Sequence, residues 1–326
     1  LEYCGTDSGA YCTKLMADLG AEVIHVEPPG TGDRARNSPP FPGDVPHPEK
    51  SGLFLFLNTN KLGITLDPQT PPGKEIFERL ANQVDVLVED RSPGQMEEMG
   101  LGFEDLREEN PGLIWASLTP YGRSGPLKDY KAYPLNVAHA CGQGYVLPLP
   151  APSLDRAPTM IGGKCTEYDP GQTASLAVLS ALFARGRTGR GQLVEISLQE
   201  AALAMLRVEV VTFPNHGNLS SRKGTGNERL ITMMFSCKNG HVIMVTPLDH
   251  QWKSLMKLIG NHEWFENEQT SEGRLRRAED PQAMLERIGR WMAQYDKEEV
   301  CRRGQELSIP ITPINSSEDV VNSEQM

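Results

Sequence analysis

The residues best suited to chemistry lie in the stretch 166–182, TEYDPGQTASLAVLSAL. Asp169 stands directly before Pro170, Gly171 and Gln172, and Ala174, Ala177, Val178, Ala181 and Leu182 then recur at helical spacing. Asp before Pro before Gln predicts a helix start. The aspartate would cap it, the proline would fill its first position, and the glutamine would reach back to close a capping box. A carboxylate there faces the positive end of the helix dipole, which favours the ionised form at neutral pH. An ionised carboxylate in a cleft is a usable nucleophile. Taken alone, the stretch reads first as a plain capped helix, because most aspartates in this setting only cap. The rest of the chain raises the chemical reading.

The elements that must position such a group alternate in type. Residues 10–19 read as a helix ended by Gly20, and 21–26 as a short apolar strand stopped by Glu27-Pro28-Pro29-Gly30. Residues 54–57 and 63–66 read as strand pieces around a polar turn, 73–83 as a helix and 84–89 as a buried strand. A short helix at 103–108 precedes a buried strand at 113–118; another strand at 193–198 precedes a helix at 199–211. The strands are apolar throughout rather than alternating. That predicts an α/β fold, an open and mostly parallel Rossmann-like sheet covered on both faces. Beyond the glycine-rich linker the texture changes. A hairpin at 231–246 and helices at 250–259, 281–295 and 297–307 predict a second, smaller α+β domain.

Composition bounds the function. The chain has 326 residues, 38% hydrophobic and 23% charged, with a formal net charge of -11. A balance this acidic argues against nucleic acid or an anionic membrane as a general partner, and no apolar run approaches membrane-span length. The N-terminus carries no signal-peptide pattern. Six cysteines and seven histidines are scattered, with no C-x-x-C, H-x-x-x-H or H-E-x-x-H. That usage predicts reduced thiols in a cytoplasmic protein with no metal site.

Several blocks, in order, resemble the family III CoA-transferases (CaiB/BaiF type, formyl-CoA transferase-like). They are LMADLGAEVIHVEPP (15–29) with GDRAR (32–36), LNTNKLGITLD (57–67), VDVLVEDRSPG (84–94), NPGLIWASLTPYGRSGP (110–126) and RTGRGQLVEISLQEA (187–201). The resemblance implies two interlocked chains and the transfer of CoA from an acyl-CoA to a small carboxylic acid, with no permanently bound cofactor. It implies a large domain, 1–213, lacking its first strand and its C-terminal completion. A linker at 214–227 and a small domain at 228–326, with the start of a return segment, would follow. It puts Asp169 at the position of the catalytic aspartate, forming a mixed anhydride and then an aspartyl-CoA thioester. It puts Arg36, Lys61, Asp90, Arg91, Lys131 and Tyr133 along the CoA path, with Tyr133 facing the thioester. Two positions depart from the family pattern: Asp90, where Asn is common, and Glu98, where a related pattern has Arg; Arg34 or Arg91 would compensate for the latter. Arg36, Lys61 and Lys131 are expected to converge on one cleft with Tyr133.

Other readings stand beside this one. An α-methylacyl-CoA racemase needs a His in G-H-D-x-N, where this chain has Ala132-Tyr133-Pro134-Leu135-Asn136; His139, read as a packed side chain, keeps that branch open. Intramolecular CoA migration would use the same aspartate. A silent CoA-binding subunit of a hetero-oligomer is disfavoured by the presence of Asp169. A dehydrogenase needs G-x-G-x-x-G after a first strand, and KGTGNE (223–228) does not follow one.

Overall fold

The structure, a computed structural model, describes residues 1–148, 151, 153–222, 232–260 and 281–326. Its contacts divide it into two compact units, Leu1–Arg222 and Lys223–Met326. The expected linker end, the start of the small domain at 228 and the KGTGNE stretch fall on 223–231, outside the described residues.

In the first unit, strand β1 (Glu2–Tyr3) leads to helix α1 (Asp7–Asp18), and β2 (Val23–Glu27) to two short 3-10 turns at Arg34–Asn37 and Pro42–Asp44. There follow α2 (Gly52–Leu57), β3 (Lys61–Thr65), α3 (Pro71–Ala81), β4 (Val86–Glu89), α4 (Gln95–Glu98), α5 (Phe103–Glu109) and β5 (Ile114–Thr119). Short α6 (Pro134–Ala140) and α7 (Gln143–Val146) precede the long α8 (Cys165–Thr188), β6 (Leu193–Ser197), α9 (Leu198–Ala204) and α10 (Arg207–His216). Among the described residues the sheet has six strands in the order β3-β2-β1-β4-β5-β6, and its pairings are parallel. This is the open, doubly wound order expected from the apolar strands. Glu2 and Tyr3 occupy the sheet's centre, pairing with β2 and β4.

One face of the sheet packs Phe77, Leu87, Leu113 and Trp115; the other packs Cys12, Val88, Ala116, Ala174 and Val178. The apolar run 54–57, expected as strand, is helical instead. Ser51 accepts from the Phe54 N–H at 3.1 Å and donates to the carbonyls of Ala35 and Ser38, both at 2.6 Å. A helix buries Leu53 and Leu57 together and leaves Leu55 and Phe56 outside. A short apolar run does not distinguish the two outcomes by period; the cap decides it. The helix expected at 199–211 breaks near Met205–Leu206 into α9 and α10.

The second unit is α+β by itself. Strands β7 (Thr232–Cys237), β8 (Gly240–Val245) and β9 (Ile311–Ile314) form an antiparallel sheet. Helices α11 (Asp249–Leu258), α12 (Pro281–Met292) and α13 (Lys297–Glu306) cover a core that includes Met244, Leu255, Met292, Val300 and Ile309. A last short helix, α14, spans Ser317–Val321. No helix among the described residues is long and apolar enough to cross a membrane.

Helices α1 and α8 meet at Gly171, where an added Cβ would lie 2.5 Å from the Ser8 carbonyl oxygen and 3.2 Å from Tyr11 Cβ. Gly186 of the same helix faces open space. Gly171→Ala is expected to lower stability by about 1–3 kcal/mol through overpacking. Gly186→Ala is expected to raise it by about 0.5–1 kcal/mol through backbone entropy and helix propensity. Urea denaturation of the two variants checks the opposite signs.

Candidate active site

Parallel strands leave a crevice beyond their carboxyl ends, at the point where the connections reverse direction across the sheet. Here that point lies between β1 and β4. A cavity of about 380 Å³ opens beside it. Its walls come from the turns after four strands: Cys4 and Gly5, Pro28 and Pro29, Leu66 to Gln69, and Arg91. Gly32, Asp33 and Arg34 complete one rim. A second cavity of about 530 Å³ shares Pro68 and Gln69 and adds Thr70, Lys74, Gln95, Glu98 and Met99. Glu98, the departure noted in the sequence, therefore lines a cavity.

Arg91 is the sequence candidate that lines the crevice. Its guanidinium lies 4.8 Å over the Tyr3 ring and 2.7 Å from Asp90 Oδ1. Burial alone would lower its pKa; the Asp90 carboxylate outweighs that and keeps the cation. Asp90 turns away from the cavity. It accepts from the backbone N–H of Gly5, at 2.9 Å, and of Thr6, at 2.6 Å, so it fixes the turn between β1 and α1.

The other cations do not converge as expected. Lys61 is buried: its Nζ meets Glu2 at 2.9 Å, the Ala10 carbonyl at 2.8 Å and Asn58 Oδ1 at 3.1 Å. Arg36 binds both oxygens of Glu27 at 2.7 Å, meets Glu49 at 2.8 Å and stacks 3.8 Å over Phe54. Its charge is held firmly by Glu27. Lys131 is exposed, and Tyr133 is 71% exposed at the start of α6, its backbone N–H donating to Asn136. None of these four lines either cavity. The physical reason is pairing: Lys61 and Arg36 answer carboxylates of the same sheet, Glu2 and Glu27, before any ligand. His139, expected to be packed, is exposed in the last turn of α6.

The Asp169 cap is corrected. Helix α8 begins at Cys165, after Lys164 in a left-handed conformation at φ 59°, so Asp169 sits in the second turn and Pro170 inside the helix. The earlier turn is held by packing: Thr166 is buried and Tyr168 stacks on Tyr11 at 4.5 Å. Dipole stabilisation fades within the first turn. The carboxyl pKa of Asp169 is accordingly raised by burial, not lowered. Its backbone carbonyl accepts from Thr173 Oγ1 at 2.9 Å. Helical spacing puts Asp169, itself half-buried, on the face of Leu176, Ser180 and Phe183, which are exposed.

Glu167, two residues earlier and about 200° round the helix, lies on the buried face of Gly171, Ala174, Val178 and Ala181. Its side chain is 12% exposed, and its Oε2 is buried without a hydrogen-bond partner. Its Oε1 lies 3.8 Å from Lys164 Nζ. Lys164 also pairs with Asp7 at the start of α1, and Asp7 lies 3.6 Å from Arg34, which lines the crevice. Burial raises the Glu167 pKa; Lys164 opposes that and Asp7 adds to it. A desolvated carboxylate with one oxygen unengaged, beside a cation, is the arrangement a nucleophile needs. Sequence reasoning passed over Glu167, although it stands seven residues before Ala174 and so belongs to the same helical stripe.

The chain matches the model of CoA-transferase family III over residues 1–326. It is 29% identical over 327 residues to the succinyl-CoA:(R)-benzylsuccinate CoA-transferase subunit BbsE of Thauera aromatica, covering 98% of this chain and 78% of that protein. It is 30% identical over 343 residues to a formyl-CoA:oxalate CoA-transferase of Shigella sonnei, covering 98% and 80%. Among solved structures, a CAIB/BAIF family protein from Brucella suis superposes with a TM-score of 0.83 at 26% identity, over 99% of this chain and 84% of that one. The protein Rv3272 of Mycobacterium tuberculosis gives 0.83 at 27% identity, over 100% and 86%.

The placement of Lys61 generates its own test. Lys61→Met leaves Glu2 buried with half its charge pairing lost, so it is expected to destabilise the fold by roughly 3–5 kcal/mol. Chemical denaturation measures this; a surface lysine at the ligand would give almost no change.

Proposed function

As a member of CoA-transferase family III, to which it belongs over its whole length, the chain is a CoA-transferase, and we propose that it works through a carboxylate in the first two turns of α8. The sequence offers Asp169 for this part; the geometry favours Glu167. The observation that carries the reading is the half-buried Glu167 carboxylate beside Lys164, its Oε2 buried without a hydrogen-bond partner, joined through Asp7 to Arg34 at the crevice rim. Asp169, itself half-buried, has no such chain of ion pairs to the crevice among the described residues; it remains the alternative nucleophile.

The chemistry balances without a further reactant. The carboxylate attacks the thioester carbonyl of an acyl-CoA, giving a mixed anhydride and CoA thiolate. The thiolate attacks the side-chain carbonyl of the anhydride, forming an enzyme-bound CoA thioester and releasing the donor acid as its carboxylate. The acceptor carboxylate repeats the sequence in reverse and leaves as its CoA thioester. Each step exchanges one activated acyl group for another, so covalent catalysis splits one hard transfer into easier ones.

The phosphates of CoA would meet Arg91 and Arg34 at the crevice, with Lys74 in the adjoining cavity. Asp90 positions the Gly5 and Thr6 amides, and Arg36 and Lys61 brace the surrounding turns. Lys131 and Tyr133, both exposed, stay in the proposal as contacts for a substrate long enough to reach them. The same reading includes a homodimer of interlocked chains, supported by exposed Leu176 and Phe183 on α8 and Val211 and Phe213 on α10. Relatives act on formyl-CoA with oxalate and on succinyl-CoA with (R)-benzylsuccinate, which supports an acyl-CoA donor and a carboxylic acid acceptor here. Free thiols at Cys4, Cys12, Cys141, Cys165, Cys237 and Cys301 support a reducing, cytoplasmic setting.

Steady-state CoA transfer, followed by mass spectrometry of the CoA esters, tests the assignment. Glu167→Gln is expected to lower kcat by roughly 10³-fold or more, and Asp169→Asn by less than about tenfold. The reverse ranking returns the role to Asp169, and two active variants sink the covalent reading. A pH profile adds a sign. The anion is the reactive form, so kcat/KM should climb with pH through a midpoint above the usual glutamate value of 4.5. A midpoint at or below that value would contradict the buried site.

A further inference from the structure

We propose that His25, in its doubly protonated form, is a positioning residue that clasps the 32–37 turn over the crevice. This rests on reading the crevice as the CoA site, but the clasp can be tested without it.

His25 projects from β2 into a buried group of charges. Its Nδ1 lies 3.0 Å from Glu2 Oε1, and its Nε2 lies 3.2 Å from Asp33 Oδ2. Both contacts are bent from hydrogen-bond geometry and are chiefly ionic. The His25 side chain is 3% exposed, Glu2 0% and Asp33 9%, so these charges meet almost without water. Glu2, on β1, is also held by Lys61 from β3 and by Thr13 from α1, whose hydroxyl donates at 2.7 Å. Two carboxylates then face two cations, and the group is neutral only with His25 charged. A neutral imidazole would aim a lone pair at one of the carboxylates, because one of its nitrogens must be an acceptor. The Cys12 thiol, pushed up to about 12 by burial, adds no charge. Glu27, two residues along β2, is answered by Arg36. Burial alone would lower the His25 pKa; Asp33 and Glu2 outweigh it and bring it up to about 9.

The far partner, Asp33, is the only one of these groups that belongs to the crevice rim among the described residues. One of its oxygens meets His25 and the other accepts from the Ala35 N–H at 2.6 Å, while its own N–H donates to Glu27 at 2.7 Å. It therefore caps the 3-10 turn that carries Arg34 and Arg36. An imidazolium on β2, anchored to Glu2 of the central strand β1, thus sets the position of Arg34 in the crevice. The linkage has a definite sign. A histidine whose folded pKa is raised from 6.5 to about 9 contributes its full stabilisation below pH 6.5 and loses it as pH rises through about 9.

Hydrogen exchange of the peptide spanning 30–38 in the full chain, corrected for intrinsic rates, tests the clasp. In wild type, protection of the Ala35, Arg36 and Ser38 amides should fall at least tenfold between pH 7 and pH 10. His25→Gln should show the loosened turn already at pH 7. His25→Lys, which returns a cation between the same carboxylates, should keep its protection to pH 10. Unchanged protection in wild type at pH 10, or a His25→Lys turn as loose as wild type there, overturns the clasp even if His25→Gln fails to fold. Exchange needs no substrate, so this result stands apart from the CoA reading. For the crevice link, KM for an acyl-CoA should rise at least fivefold in His25→Gln with kcat within twofold, and recover in His25→Lys. A loosened turn with unchanged KM overturns the positioning role.

Discussion

The close seam between α1 and α8 governs the site. Gly171 lets the two helices approach until a single methyl would collide with the Ser8 carbonyl. That approach fixes the rotation of α8, and rotation decides which acidic side chain enters the protein. One stripe of the helix, from Glu167 through Ala174 and Val178 to Ala181, turns inward; Asp169, half-buried, lies on the side of the exposed Phe183. The same contact stacks Tyr168 on Tyr11 and brings Lys164 to Asp7 at the α1 N-terminus. Chemistry at the crevice is therefore a consequence of helix packing as much as of residue type.

A second constraint is charge pairing inside the sheet. Glu2, Glu27 and Glu89 rise from β1, β2 and β4 into surroundings with little or no water, and each has engaged partners before any ligand arrives. Lys61 and His25 answer Glu2, and Arg36 answers Glu27. Glu89 accepts from Trp115 Nε1 at 3.2 Å and from the Arg91 N–H at 2.6 Å, which holds the start of the turn bearing Arg91. A buried charge without a partner is far costlier than a surface one, so these pairings are firm. Among the described residues they leave Arg34 and Arg91 as the cations at the crevice itself.

Much of this fold was legible in the sequence because parallel strands buried on both faces are written as apolar runs. The strands near 23–27, 86–89, 114–119 and 193–197 and the change to an α+β texture follow from that. Residues 52–57 were not legible as helix, since LFLFL suits either period and the deciding Ser51 hydrogen bonds reach Ala35 and Ser38 far along the chain. The cap at Asp169 failed for a related reason. A left-handed Lys164, after Gly162 and Gly163, starts the helix early, and local preference for proline in the first turn yields to packing on α1. Arg36 and Lys61 read as phosphate ligands because sequence gives residue type but not the carboxylate that already holds it. Arg91 was named from its place in the family-like block VDVLVEDRSPG; in the structure it follows β4 directly, where the fold itself opens a crevice.

The most direct test is to locate the covalent intermediate. The protein is incubated with an acyl-CoA, the enzyme-bound CoA thioester is trapped with hydroxylamine, and peptides spanning 164–185 are sequenced by tandem mass spectrometry. Helix rotation predicts the hydroxamate on Glu167. A hydroxamate on Asp169, or an unlabelled helix under conditions of active transfer, would contradict it.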